Sequence, residues 1–158
     1  MRVGVTGHQE RRGIEWTWVK HAIRTELSNR ADVQKALSSL AAGTDQVFAK
    51  AAMSLGIPVI AVLPLEGYER FFKGRSLAQY TALLRRCEPI QLIWKGHPEE
   101  AFLRAGKFIV ENCDLLIAVW DGAAAKGLGG TADVVAFAKR KRRPIFHINP
   151  FTKSVLQI

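Results

Sequence analysis

Cysteine is scarce in this chain of 158 residues. It has two, Cys87 and Cys113, far apart and without the spacing of metal ligands. That argues against a disulfide framework or a zinc site and reads as two buried thiols in a reducing compartment. Long apolar runs are missing as well. The longest, Ile57 to Leu65 and Leu115 to Trp120, are too short to span a bilayer. The opening residues MRVGVTG lack the basic start and apolar stretch of a secretory signal. No membrane contact is expected, and a cytoplasmic location is. There is no Gly-x-x-x-x-Gly-Lys-Ser/Thr loop, no Gly-x-Gly-x-x-Gly after the first strand and no Gly-x-Ser-x-Gly elbow. No histidine–cysteine cluster points to a metal, so neither a metal nor a resident cofactor is expected.

Acidic residues are the other shortage. Fourteen stand against 23 lysines and arginines, a formal net charge of +9. Such a balance attracts anions: phosphates, nucleic acid or an acidic surface. Part of the charge is clustered at Lys139 to Arg143 and at Arg85 with Arg86. Both clusters fall in the last turn of a predicted helix, where cations complement the dipole. The remaining excess favours a phosphate-bearing ligand and permits nucleic acid without favouring it. With 48% apolar residues the chain can build one ordinary core, so residues 1–158 are read as a single domain.

Short apolar runs alternate with segments of helical spacing throughout. Strands are predicted at Arg2 to Thr6, Lys35 to Leu40, Val59 to Leu63, Ile90 to Trp94, Leu115 to Trp120 and Pro144 to Ile148. Helices are predicted at Ile14 to Asn29, Thr44 to Leu55, Ser76 to Cys87, Pro98 to Cys113 and Thr131 to Arg142. Gly56 stops the second helix. Ser76 is placed to cap the third. Pro98, Glu99 and Glu100 open the fourth. Pro64 to Gly74 reads as a loop with a short helix, and the tail after Pro150 as a segment that packs or frays. Val59 to Leu63 has almost no polar residue, as in parallel strands buried on both faces. The alternation implies an α/β, Rossmann-like three-layer sandwich with a mostly parallel sheet. Ligands of such sheets bind outside the carboxyl ends of the strands.

Four loops are predicted at that edge. Thr6-Gly7-His8-Gln9 follows the first strand. Gly7 permits a sharp turn or a close approach, and His8 is a candidate phosphate or base contact. Arg11 and Arg12 read as solvated, with either able to fold over an anion. Ser39 to Asp45 follows the second strand. Its small residues Ala41, Ala42 and Gly43 turn backbone amides toward an anion at a helix start. Thr44 or Asp45 serves there as an N-cap, a ligand contact, or both. Pro64, Leu65 and Glu66 begin the third loop. Tyr68, Phe71 and Phe72 behind them form either a lid or core beneath the loop. The fourth loop carries the strongest signal. Trp120-Asp121-Gly122 ends a buried strand, and Gly127-Leu128-Gly129-Gly130-Thr131 enters a helix. Glycines before a helical threonine build an anion site from amides, a hydroxyl and the helix dipole. Lys126 can reach over this loop. Asp133, in the first helical turn, is first a carboxylate that complements the dipole and second a catalytic candidate.

The ordered set Val3 to His8, Ser38 to Asp45 with Gly56-Ile57-Pro58 and Ala61 to Pro64, and Asn112 to Gly122 with Gly129 to Asp133 resembles the SLOG superfamily. That superfamily groups the DNA-processing protein A fold with the "lonely guy" phosphoribohydrolases. The resemblance implies a Rossmann-like domain that binds nucleotides or nucleotide-derived signals, with self-association through helices beside the site. Ile14 to Asn29 could supply such a face. Some relatives cleave N-glycosidic bonds, and others bind single-stranded DNA. The phosphoribohydrolase branch carries Pro-Gly-Gly-x-Gly-Thr-x-x-Glu. Gly130-Thr131 matches its Gly-Thr, but its glutamate position falls on Val134. An Arg-Lys pair of that branch falls on Ala105 and Gly106, with Arg104 and Lys107 alongside.

Three functions follow, in order. The first is binding, or sensing, of a nucleotide-derived small molecule. Its phosphate would lie on Gly129, Gly130 and Thr131, with Gly7 and Gly43 allowing close approach and Asp121 or Asp45 accepting ribose hydroxyls. The second is N-glycosidic cleavage, with Asp133 or Asp121 catalytic and His8 assisting the leaving group. The third is single-stranded nucleic-acid binding, which needs exposed aromatic residues. The candidates Trp16, Trp18 and Trp94 read as helical or buried.

Overall fold

The computed structural model describes residues 1–125 and 127–158. Strands β1 (Arg2–Gly7), β2 (Lys35–Ser38), β3 (Val59–Leu63), β4 (Glu88–Gln91), β5 (Leu115–Val119), β6 (Ile145–Asn149) and β7 (Ser154–Gln157) form one sheet. Their order is β4-β3-β2-β1-β5-β6-β7. All neighbours pair in parallel except β7, which runs antiparallel to β6. The helices are α1 (Trp16–Ser28), α2 (Thr44–Ser54), α3 (Gly74–Leu84), α4 (Pro98–Asn112) and α5 (Thr131–Arg140). The expected Rossmann-like α/β sandwich with a mostly parallel sheet is therefore the observed one. From β1 the chain winds outward to β4, then returns through α4 to place β5 on the other side of β1. That reversal makes β1/β5 the topological switch point, where doubly wound sheets open a crevice.

The wholly apolar runs in β3 and β5 are explained by the two layers of helices. Val59, Ala61 and Leu63 face one core with Phe48 and Ala51 of α2, while Ile60 and Val62 face a second with Ile109 of α4. Leu115, Ile117 and Val119 divide from Leu116 and Ala118 in the same way. Successive strand residues point to opposite faces, so a strand covered on both faces has no polar position. In α1, Trp16, Trp18 and Ala22 pack partly buried against the first core. Cys113 is buried and Cys87 half-buried; both thiols are free, and burial pushes each up to about 11.

Several boundaries differ from expectation for local reasons. β2 stops at Ser38 because Leu40, fully buried, takes a left-handed φ of 57°. Such a conformation is costly for a branched side chain and turns the loop toward the sheet edge. α5 stops at Arg140 because Arg142 is left-handed at φ 53°. Arg143 N–H then donates to Ala138 O and Arg142 N–H to Lys139 O, the paired bonds of a Schellman ending. α3 starts at Gly74, and Ser76 does not cap it. The Ser76 hydroxyl donates to the Lys73 carbonyl instead. β4 is shifted to Glu88–Gln91 by its register on β3, with Ile60 opposite Glu88. The tail forms β7, with Phe146 opposite Gln157 and Asn149 opposite Ser154.

Candidate functional site

A cleft of about 430 Å³ opens at the carboxyl ends of β1, β2 and β3 and beneath the start of α5. Its two sides differ in chemistry. One is backbone and small residues: Gly7, Ala41, Ala42, Gly129, Gly130 and Thr131. The other is apolar. Tyr68 stands edge-on to Phe72 and Tyr80, at 4.9 and 5.5 Å, and Phe71 packs edge-on against Phe102 at 5.2 Å. Tyr68, Phe71, Phe72 and Phe102 all line the cleft, with Ile109 and Val134 deeper. The stretch from Pro64 to Gly74 thus supplies an aromatic wall. Tyr68 and Phe72 are buried within it, and Phe71 is 43% exposed at the rim.

The narrow floor depends on two glycines. A Cβ at Gly7 would stand 2.5 Å from Thr44 Cγ2, so Gly7 lets α2 dock against the end of β1. Thr44 secures that junction: its hydroxyl and its N–H both donate to the His8 carbonyl, at 2.8 and 3.1 Å. Gly43 precedes α2 with φ 85° and ψ −123°, a conformation almost closed to other residues. A Cβ there would also meet the Gln9 backbone at 2.7 Å. Gly43 occupies the N-cap position without a side-chain cap, so neither Thr44 nor Asp45 fills the capping role expected of them.

Asp45 binds the preceding loop instead. Its Oδ2 accepts the Ser39 N–H at 2.9 Å and the Ser38 hydroxyl at 3.2 Å. The carboxyl is buried and lines the cleft. Burial outweighs the donated hydrogen bonds and pushes its pKa from 3.8 up to about 6.

His8, Arg11 and Asp121 form one polar group beside the floor. The Asp121 N–H donates to His8 Nε2 at 3.0 Å. Arg11 Nη1 lies 3.0 Å from the same nitrogen and 2.9 Å from Asp121 Oδ2. Two N–H groups directed at Nε2 require it to be the unprotonated nitrogen, which leaves the proton on Nδ1. Asp121 Oδ1 lies 3.4 Å from Nε2 and would pair with a charged ring. The burial of His8 and the charge of Arg11 outweigh that attraction and lower the His8 pKa from 6.5. Asp121 itself is held at about 2, chiefly by the Ala123 N–H and then by the Arg11 guanidinium. Arg11 lies 4.8 Å over the ring of Phe151.

The expected site residues divide accordingly. Gly7, His8, Ala42, Asp45 and Pro64 reach the cleft from one side, and Gly129, Gly130 and Thr131 from the other. Gly43 and Thr44 stand behind its floor and shape it. Gly122, at φ 84°, turns the chain after Asp121. A second, smaller cleft is lined by His8, Arg11, Asp121, Gly130 and Thr131 with Trp120 and alanines. Asp133 lines neither cleft; its Oδ2 accepts the Gly129 N–H at 3.0 Å and so fixes the glycine loop. Lys126 lies outside the described residues. Arg11 is exposed, as expected, and is also paired to Asp121. Phe102 and Phe151 carry no signal in the sequence, and Gly106 stands out there only as one position of the Arg-Lys pair. The hint for Arg11 was its place in the same loop as His8, three residues on. Val134, at the position of the phosphoribohydrolase glutamate, forms apolar wall opposite Gly106. A Cβ at Gly106 would meet Val134 Cγ2 at 2.5 Å. No cluster of three metal-ligating side chains occurs among the described residues, and no helix there is long and apolar enough to cross a membrane.

These features define a Rossmann-like architecture with its larger cleft beside the switch point of the sheet. Solved structures share this fold. The structure is similar to DNA processing protein A from Streptococcus pneumoniae, with TM-score 0.64 and 22% identity, over 94% of this chain and 50% of that one. It is similar to DNA processing protein A from Helicobacter pylori, described by its single-stranded DNA binding mode. The TM-score is 0.64 at 14% identity, over 94% of this chain and 65% of that one. The molybdenum cofactor binding protein of the phototrophic bacterium Rippkaea orientalis also matches. Its TM-score is 0.53 at 16% identity, over 92% of this chain and 74% of that one. The chain therefore spans between half and two thirds of the length of the two DNA processing proteins. No family model and no curated protein matches the sequence. At these identities the likeness is one of fold alone, the Rossmann-like α/β sandwich that this chain shares with the DNA processing proteins.

Proposed function

We propose that the protein binds a nucleotide or nucleotide-derived small molecule in the larger cleft. The base lies against Tyr68, Phe71 and Phe102, and the phosphate faces the backbone of Gly129, Gly130 and Thr131. The observation that carries this reading is the split lining of one cleft at the β1/β5 switch point, aromatic on one side and glycine-rich backbone on the other. Aromatic walls suit the apolar faces of a base. The backbone of Gly130 and Thr131 at the start of α5, with the net charge of +9, suits an anion, while the Gly129 N–H is already given to Asp133. Asp133 supports the reading indirectly, because its bond to the Gly129 N–H holds the loop in one shape before a ligand arrives.

The test is thermal unfolding of the protein with nucleoside monophosphates, cyclic nucleotides, ADP-ribose and NAD, followed by analysis of each ligand recovered. A ligand at about 100 times its dissociation constant adds ~2.7 kcal/mol. Recovery of the ligand intact supports a binding or sensing module. A released base would instead assign N-glycosidic cleavage. No shift with any of them would refute the reading.

A second reading, single-stranded nucleic acid, is favoured by one observation. Phe71, at the rim of the larger cleft, and Phe151, beside Arg11, are 43% and 39% exposed, each beneath an arginine guanidinium at 4.8 Å. Exposed rings backed by cations are what a base-stacking surface needs. That reading requires affinity for oligonucleotides that falls steeply with salt.

A further inference from the structure

The two clefts meet at a common wall. His8, Gly130 and Thr131 line both. Beyond that wall their chemistry diverges. The larger holds every aromatic residue of the Tyr68–Phe72 stretch that faces the site, with Phe102. The smaller, about 320 Å³, has Ala123, Ala124, Ala125 and Ala132 around the Arg11–Asp121 pair. Its one aromatic residue, Trp120, has its indole N–H committed to the Ala123 carbonyl at 2.9 Å.

We propose that the two clefts are halves of one site for a phosphate-bridged, two-part ligand of the nucleoside diphosphate-sugar class. The nucleoside occupies the aromatic cleft, the bridge crosses Gly130 and Thr131, and the sugar enters the alanine-lined cleft. This rests on the nucleotide reading above and adds the second half of the ligand.

Size, charge and hydrogen bonding each favour this class. Small-molecule sites usually enclose about 300–1000 Å³, so each cleft alone is near the lower bound and the two together are mid-range. Asp121 is ionised and its charge is met by Arg11 at 2.9 Å. A terminal phosphate pushed into this cleft would compete with Asp121 for Arg11 and meet a carboxylate. A neutral polyol would not: its hydroxyls can donate to Asp121 and accept from Arg11. A second base finds little aromatic surface there. His8, on the shared wall, is held by the Asp121 N–H and Arg11, so the two halves are mechanically joined.

The experiment is titration calorimetry of the intact chain with matched probes: AMP, ADP-ribose and ATP; GMP and GDP-mannose; UMP and UDP-glucose. For whichever base binds, the diphosphate-sugar is expected to bind at least about tenfold more tightly than its monophosphate, the equivalent of one good hydrogen bond to a charged group. It should also bind more tightly than the triphosphate. Ala132→Leu, which fills the smaller cleft from a partly exposed helical position, should erase that advantage. Equal affinity for monophosphate and diphosphate-sugar would overturn the proposal and leave the nucleotide reading intact. An advantage that survives Ala132→Leu in a folded variant would overturn it too. The wild-type comparison decides the matter even if the variant does not fold. Binding to none of the probes, or to single-stranded oligonucleotides alone, would refute both readings.

Discussion

Asp45 gives the structure a stability that depends on pH in an unusual direction. Its pKa is raised in the folded chain from 3.8 to about 6 because burial disfavours the carboxylate. The folded state therefore binds more protons than the unfolded state between those values, and stability falls as pH rises through that window. A rise of about two units at 1.36 kcal/mol per unit costs ~3 kcal/mol at neutral pH. Integrated, ~2 kcal/mol of that cost develops between about pH 4.5 and about pH 7.5. Asp45→Asn removes the titration. Its amide oxygen can still accept from Ser38 and Ser39, which share Oδ2. The assay is urea unfolding of both proteins by circular dichroism across that range. Other carboxylates cancel in the difference between them. Asp45→Asn should gain ~2 kcal/mol on the wild type as pH rises, whatever its offset at low pH. A difference that stays constant across the range would refute the argument and show Asp45 to be ionised at the usual acidity.

His8 should titrate below 6.5 in the folded protein and carry its neutral proton on Nδ1, which nitrogen chemical shifts across a pH series read directly. A proton on Nε2 at neutral pH would contradict the placement of the Asp121 N–H. Because the folded value is lowered, this histidine's contribution to stability is fully present above 6.5 and is lost as pH falls from 6.5 through the lower folded value. Gly106→Ala should cost ~1–3 kcal/mol by overpacking, since its Cβ would meet Val134 Cγ2 at 2.5 Å. Adding Val134→Ala, which removes that carbon, should make the double variant less destabilised than the sum of the single changes, as a double-mutant cycle of urea unfolding would report. Phe71→Ala should weaken nucleotide binding by ~1–2 kcal/mol in calorimetry with little loss of stability, as its ring is 43% exposed.

Most of the fold was legible because its signals are local. Val59–Leu63 was read with its observed bounds, since a strand covered on both faces has no polar residue to blur its ends. Gly56 ended α2 as expected, its left-handed φ of 72° being available to glycine without cost. Two boundaries, the ends of β2 and α5, were missed where a non-glycine residue takes a glycine-like conformation. Leu40 and Arg142 both do so, and nothing in their chemistry announces it. β7 escaped notice because all four of its residues are exposed, so it lacks the alternation that marks a half-buried strand.

The site was legible in its loops and illegible across them. Gly7, Gly43 and Gly129 are visible because each lies beside a strand end or a helix start. The bond from Asp121 to His8 joins residues 113 apart in sequence, and it exists because the sheet reverses between β1 and β5. A single sequence does not state that adjacency. The same holds for Val134 and Gly106. In sequence they are two separate departures from the phosphoribohydrolase pattern. In the structure they are one contact, with a branched side chain filling the space that a missing Cβ leaves open. An acid at 134 facing a basic side chain at 106 would need the room that this contact closes. The pair therefore makes the inner wall apolar as a unit, and among the described residues Asp45 is the carboxyl left lining the larger cleft. Among the described residues, the titratable side chains lining that cleft are then Asp45, His8 and Tyr68, none of them at the positions where the resemblance would place an acid or a base.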